Sequence, residues 1–342
     1  MTDHLDRDLG DVARKWVPDR RLGVFEVTID ARALTGCTTS RDALMALRHL
    51  AAEAGRAADI RLLPDTSVHD EPAAVVTAAV APLMREPRVA ADRLSEVLHG
   101  ESLALLERRD GPWLRVRTHD GYHGWVHAGY VATGASEWAE DWDRRATARS
   151  LGAELRLEDR RFRLAVGARV VGRRDGLVET AEGGKWSVTS GAVRAEAEYR
   201  AEARLLAAPE WALRWFSGAP YAWGGRTEWG IDCSGLVQAT YAARGVALPR
   251  DSDQQALAGR EVPISAEGSG YNAGDVLCFA DGHRVSHVAM WAGAGRIVHA
   301  ALARGGVGSD DLVADTPAAK RLREMLVAVR RPEARGADRL SA

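Results

Sequence analysis

The sequence predicts an α+β protein: two small tandem β-barrels, then a domain joining a cysteine-led helix to a histidine-bearing β-hairpin. Three observations predict it. From Val75 to about Thr133, short strands recur at regular spacing with turn signals between them. A weaker copy of that pattern follows before residue 200. Beyond it come Cys233 at a helix start and two histidines, His287 and His299, on alternating apolar stretches. The 342 residues suffice for two or three domains and at least one sizeable core.

Taken in order, residues 1–20 read as an amphipathic or loose start ending at Pro18. Val24-Phe-Glu-Val-Thr-Ile alternates and reads as a strand. Ser40 to Ala54 carries a helical signal, with Ser40 as N-cap, Leu44, Leu47 and Leu50 on one face and Gly55 as the stop. Pro64 to Pro72 is a loop. The first barrel has turns at Asp110-Gly111 and Asp120-Gly121. In the second copy, Gly167-Ala-Arg-Val-Val-Gly-Arg-Arg-Asp-Gly echoes Gly100-Glu-Ser-Leu-Ala-Leu-Leu-Glu-Arg-Arg-Asp-Gly, and Lys185-Trp-Ser-Val echoes Pro112-Trp-Leu-Arg-Val. A charged helix near Glu137–Arg149 joins the copies. Glu210 to Phe216 reads as a helix ended by Gly218 and Pro220. The expected divisions are 1–135 for the N-terminal segment and first barrel, 136–200 for the second, 201–335 for the catalytic domain and 336–342 for a frayed tail.

The formal net charge is −2, which gives no ground for nucleic acid or an anionic membrane as partner. Eleven Trp against four Phe suits small β modules with aromatic grooves. Three cysteines, Cys37, Cys233 and Cys278, give no disulfide framework. The polar, acidic start does not resemble a signal peptide, and no apolar run reaches membrane-spanning length. The expectation is a cytoplasmic protein.

Cys233 leads a helix whose apolar positions fall at Leu236, Val237, Thr240 and Tyr241, with Asp232 suited to the N-cap and Gly245 to the C-terminus. A thiol in the first turn meets unpaired N–H groups and the helix dipole, which favour a thiolate. Its own N–H could serve an oxyanion hole. The alternative is a buried structural cysteine. Downstream, Val285-Ser-His-Val-Ala-Met-Trp alternates, turns at Ala292-Gly-Ala-Gly-Arg and resumes at Ile297-Val-His-Ala. A hairpin centred on Gly293 places Trp291 opposite Gly295, Ala289 opposite Ile297 and His287 opposite His299. Directly paired residues share a face with Cβ atoms about 4.5–5.5 Å apart. That register makes His299 the orienter of His287. A zinc site of Cys233, His287 and His299 is the competing chemistry, but no ligand pair has the usual short spacing. His283 sits in a probable solvent-facing loop.

Six blocks carry a family resemblance: Pro220-Tyr-Ala-Trp-Gly-Gly, Gly230-Ile-Asp-Cys-Ser-Gly-Leu-Val-Gln, Leu248-Pro-Arg-Asp-Ser-Asp-Gln-Gln, Gly274-Asp-Val-Leu-Cys-Phe, Ser286-His-Val-Ala-Met and Ile297-Val-His-Ala. The segment resembles the NlpC-type cell-wall peptidases, which are papain-like cysteine peptidases. The resemblance implies Cys233 as nucleophile, His287 as base and acid, and His299 as the third residue. It also implies a Cys-bearing helix packed on an antiparallel sheet, and no cofactor. The barrels resemble the bacterial SH3-like domains of one branch, which hydrolyses the bond after γ-D-Glu in free murein peptides beginning with L-Ala.

By that resemblance Glu86 and Tyr122 of the first barrel and Tyr221, Asp232, Ser234 and Ser252 of the catalytic domain bind substrate. Glu86 and Asp232 would offset the desolvation of the free amine. Such a site should reject a blocked amine, because its acids would be left unpaired. The plainer readings are that Glu86 is a solvated loop acid and that Asp232 only caps the helix. Cys278 stands where an aromatic is common and packs as a small hydrophobe. The rival functions are an exported hydrolase of intact wall and a non-catalytic wall-binding module.

Overall fold

The computed structural model describes residues 2–109, 111–265 and 267–333. The expected turn residue Asp110 and the tail at 336–342 lie outside the described residues. The chain divides into two compact units. The first holds Met1–Val75, Leu83–Asp92 and Ser102–Asp141; the second holds Val76–Pro82, Arg93–Glu101 and Trp142–Ala342. Two stretches that the sequence assigns to the first barrel therefore cluster with the second unit.

In the first unit, α1 (Thr2–Trp16) and α2 (Arg41–Glu53) pack on a sheet of β1 (Phe25–Ile29), β2 (Ala33–Thr38) and β3 (Ala57–Leu62). Ser40 caps α2, its hydroxyl accepting the Ala43 N–H at 3.1 Å. Leu44 and Leu47 join Phe25, Leu34 and Ile60 in the core. The sequence reading found β1 and α2 but missed β2 and β3, which run parallel with α2 as the crossover. Only Ile60 of β3 is buried, so the strand lacks alternation. The chain then forms β4 (Ala73–Val76), β5 (Val80–Met84), β6 (Arg93–Leu98), β7 (Ser102–Arg108), β8 (Trp113–Arg117), β9 (His123–His127) and β10 (Val131–Gly134). Within the first unit the order runs β10-β4-β7-β8-β9. The turn at Asp120-Gly121 joins β8 to β9, with Gly121 at φ 85°.

After α3 (Ser136–Arg145), the second unit continues with β11 (Ala148–Leu157), β12 (Arg160–Arg163), β13 (Arg169–Gly172), β14 (Val178–Thr180) and β15 (Gly183–Ala195). Strand β11 pairs with both β13 and β15, so this sheet closes on itself around Trp186, Leu155 and Val170.

Next come α4 (Glu196–Leu205), α5 (Ala208–Phe216), β16 (Arg226–Thr227), β17 (Gly230–Ile231), α6 (Cys233–Ala243) and α7 (Ser252–Gln255). They are followed by β18 (Arg260–Val262), β19 (Val276–Asp281), β20 (Arg284–Gly293), β21 (Arg296–Ala301), β22 (Gly306–Asp311), α8 (Pro317–Met325) and β23 (Leu326–Arg331). The last six strands form an antiparallel sheet in the order β18-β23-β19-β20-β21-β22. Alternation sorts its side chains. Val276, Cys278, Val288, Met290, Val298 and Ala300 pack with Trp211, Phe216, Leu236 and Val237 of α5 and α6. Leu277, Phe279, Ala289, Trp291 and Ile297 form a second core on which Leu322 and Met325 of α8 pack. Cys278 is fully buried, the small hydrophobe expected.

The β20–β21 register departs from expectation. Trp291 lies opposite Ile297, not Gly295, and Met290 opposite Val298. Ala294 at φ 48° and Gly295 at φ 77° make a two-residue turn of the primed kind, beside a bulge between Trp291 and Gly293. The turn is thus shifted toward the C-terminus and the pairing slips by two. An even slip leaves the facing of every side chain unchanged, so His287 and His299 still share a face.

Candidate active site

Cys233 opens α6, and Asp232 before it is the N-cap: its Oδ1 accepts the Gly235 N–H at 2.7 Å. As the first helical residue, Cys233 has an N–H without an intrahelical acceptor. The approach is tight. A Cβ on Gly235 would stand 2.3 Å from the Gly225 carbonyl oxygen. Gly224, at φ 74°, donates its N–H to Asp232 Oδ2 at 2.8 Å. These close approaches explain the paired glycines and the Cys-Ser-Gly spacing.

Arg250 completes this side. It is 2% exposed and grips Asp232 as a fork, Nη1 to Oδ1 at 3.1 Å and Nη2 to Oδ2 at 2.7 Å. Nη1 also donates to Ser234 Oγ at 2.9 Å, and Nε to Ser95 Oγ of β6 at 2.9 Å. Two N–H groups and the fork thus occupy the Asp232 carboxylate. An ammonium reaching it would meet a charge already neutralised.

Cys233 is 5% exposed. Burial, then the Asp232 carboxylate, pushes its thiol up to about 11, against the pull of the Val288 and Ser234 N–H groups and of Arg250. The helix start that favours a thiolate is present, and desolvation opposes it.

The two histidines stand on the sheet. The Val288 N–H directed at the Cys233 sulfur belongs to the residue after His287. His287 Nε2 lies 2.8 Å from His299 Nδ1, with the rings T-shaped at 5.0 Å and 67°. The contact is diagonal across the strands, not the direct pair expected from the sequence. Burial, then His299, holds His287 down at about 3, so it is a neutral imidazole at pH 7. His299 is 3% exposed; its Nε2 meets Asp310 Oδ2 at 2.9 Å, and Arg304 pairs with Asp310 Oδ1. With the two histidine nitrogens on each other, no ion fits between them. Among the described residues no group of three or more His, Cys, Asp or Glu is arranged to hold a metal. The arrangement can relay a hydrogen-bonded proton along His287, His299 and Asp310.

The other expected site residues fall into three places. Tyr221 is half-buried; burial, then Cys233 and Asp232, pushes its hydroxyl up to about 12. Ser234 is enclosed in the Arg250 network and donates to Asp232 Oδ1 at 3.2 Å. Ser252 donates to the Val285 carbonyl on β20 at 3.1 Å. Glu86 and Tyr122 belong to the first unit. Glu86 is exposed and paired with Arg88 at 2.8 Å, whose guanidinium lowers its pKa; Tyr122 is buried. His283 is exposed in the β19–β20 turn. Arg250, Asp310, Arg304 and Ser95 were missed, although Arg250 sits inside a block that carried the resemblance.

Residues 218–327 match the NlpC/P60 family, and residues 83–129 match the bacterial dipeptidyl-peptidase Sh3 domain. The chain is 40% identical over 87 residues to a gamma-D-glutamyl-L-lysine dipeptidyl-peptidase of Bacillus subtilis, covering 25% of this chain and 28% of that protein. It is 38% identical over 86 residues to a bifunctional muramidase/DL-endopeptidase of the same organism, covering 24% of this chain and 25% of that one. Each match thus spans about a quarter of the relative's length. In structure it is similar to an NlpC/P60 family protein from Bacillus cereus, with a TM-score of 0.62 at 21% identity, covering 76% of this chain and 99% of that one. The helix-start cysteine and the histidine-bearing sheet thus lie in an NlpC/P60 domain, with a bacterial dipeptidyl-peptidase Sh3 domain ahead of it in the sequence.

Proposed function

We propose that the protein hydrolyses the γ-D-glutamyl bond to a diamino acid in free murein peptides whose L-Ala amine is unblocked, as a cytoplasmic step of murein peptide recycling. The observation that carries this reading is the pairing, in one chain, of an NlpC/P60 domain with a dipeptidyl-peptidase Sh3 domain. The relative named for γ-D-glutamyl-L-lysine cleavage adds support.

In this reading the Cys233 sulfur attacks the γ-glutamyl carbonyl carbon while His287 takes the thiol proton. The Cys233 N–H, free of an intrahelical acceptor, steadies the oxyanion. His287 returns the proton to the leaving amine, and a thioester remains on Cys233. Water, losing its proton to His287, then attacks the thioester carbon; the C–S bond breaks, L-Ala-γ-D-Glu leaves, and His287 returns the proton to the Cys233 sulfur. Tyr221, Ser234 and Ser252 line the substrate's path. The preference for a free amine is the role expected of Glu86 and Asp232, with Tyr122.

Cys233→Ala should abolish release of L-Ala-γ-D-Glu from a free tripeptide, read by mass spectrometry; an active alanine variant would sink the reading. Acetylating the substrate amine should remove most turnover, and unchanged rates would sink the amine preference. The muramidase/DL-endopeptidase relative favours a second reading, cleavage of stem peptides in intact wall. Faster turnover of glycan-linked than of free stems would select it.

A further inference from the structure

We propose that Asp310 is a positioning residue that fixes the tautomers of both His299 and His287, and so makes Nδ1 of His287 the proton-accepting atom. The proposal rests on the peptidase reading only for what that atom receives; the tautomers follow from the contacts themselves. A carboxylate can only accept, so the 2.9 Å contact with Asp310 Oδ2 requires a hydrogen on His299 Nε2. Burial keeps His299 neutral against the pull of Asp310, and Arg304 helps. Its Nδ1 therefore carries a lone pair. That lone pair faces His287 Nε2 at 2.8 Å, so Nε2 of His287 must be the N–H. A neutral His287 is left with its lone pair on Nδ1. Run in reverse, with the hydrogen on His299 Nδ1, the same contacts would put a hydrogen on His287 Nδ1 and leave no base. Asp310, at the end of the chain, selects between the two.

Arg304 makes the selection firm. It holds Asp310 Oδ1 while His299 holds Oδ2, so each oxygen has its own partner. The charged or titratable groups facing the pair are few. His287 is met by His299 from β21, and Cys233, with Asp232 behind it, reaches the neighbouring Val288 N–H from α6. His299 is met by Asp310 from β22 and, through it, by Arg304 of the short turn Leu302–Arg304.

Asp310→Asn tests this, because the amide has nearly the carboxylate's shape. Arg304 should claim the amide oxygen, leaving the NH₂ group toward His299 Nε2. Nε2 must then accept, and the whole chain reverses. The expected loss in kcat is up to about 10⁴-fold with KM little changed, the size of loss a wrong histidine tautomer causes in a triad. Asp310→Ala imposes no tautomer and should lose less than Asp310→Asn. Adding Arg304→Ala to Asp310→Asn frees the amide to turn, and should restore part of the rate. Equal losses in the two single variants, or no rescue, would overturn the proposal. Nitrogen-15 spectra of the Cys233→Ala protein without substrate give a direct reading. His287 should carry no hydrogen on Nδ1 near neutral pH, and should gain one when Asp310→Asn is added. A hydrogen already on Nδ1 in the parent overturns the proposal. If no murein peptide is cleaved, the function reading fails while these spectra still decide the tautomers.

Discussion

The two sides of the site are held in opposite ways. Around Cys233 the polar groups form a closed network: Arg250, at 1% side-chain exposure, binds both Asp232 oxygens, Ser234 and Ser95. Around His287 they form an open chain, one contact per link, ending at Asp310 and Arg304 with 37% and 36% of their side chains exposed. A closed network fixes where atoms are. An open chain of donors and acceptors fixes which atom carries the proton. In the proposed reaction the cysteine side needs position and the histidine side needs direction, and the polar geometry of each suits that need.

The sharpest way to break the comparison is at Arg250. Arg250→Met should leave the Asp232 charge buried without a counter-charge, which costs up to about 3–5 kcal/mol. Chemical denaturation at pH 7 would read it as a lower midpoint, with activity lost as the Cys233 loop relaxes. Arg250→Lys keeps the charge but not the fork, and should fall between. If Arg250→Met unfolds like the parent, the network around Asp232 is not what holds the cysteine side.

The same contrast explains what could be read from sequence. The helix led by Cys233, its Asp232 cap and the Gly245 stop are local features, set by residues within one turn of each other. The sharing of a face by His287 and His299 survived a wrong register because the error was even. Arg250 was invisible because burial of an arginine depends on a partner 18 residues away and on Ser95, 155 away. Asp310 needed a third strand: Gly308 lies opposite His299 and Asp310 opposite Ile297, so Asp310 reaches His299 on the diagonal. The parallel pair β2–β3 was lost for a similar reason, since β3 buries one apolar side chain. Local chemistry was legible; contacts that depend on long-range register were not.

Acid should act through the base side. Burial lowers the pKa of His287 from 6.5 to about 3, and also lowers those of His299 and His99. Between the folded and unfolded values the unfolded chain binds more protons, so stability is full above about 6.5 and falls as pH drops toward 3. From pH 7 to 4, His287 alone should cost about 3 kcal/mol. His287→Gln should flatten that part of the curve of denaturation midpoint against pH. An unchanged acid slope would mean that His287 is not held neutral by the fold.

The smallest effect sharpens the cysteine side. Glu228, between β16 and β17 just ahead of Asp232, accepts the Val166 N–H at 3.1 Å, and Arg163 lies over the Trp229 ring at 5.4 Å. The closed five-stranded sheet therefore braces the hairpin that leads into Cys233. Burial raises the Glu228 pKa, so above its unfolded value of 4.5 the folded state bears the cost of the buried charge. Glu228→Gln keeps the acceptor for Val166 and removes the charge. It should leave kcat unchanged and stability equal or higher at pH 7, with the difference vanishing below pH 4.5. Glu228→Ala strands the Val166 N–H and should lose about 1–2 kcal/mol. If the glutamine variant is instead the worse of the two, the charge itself positions the loop, and the cysteine side is not the charge-balanced network that Arg250 and Asp232 make it.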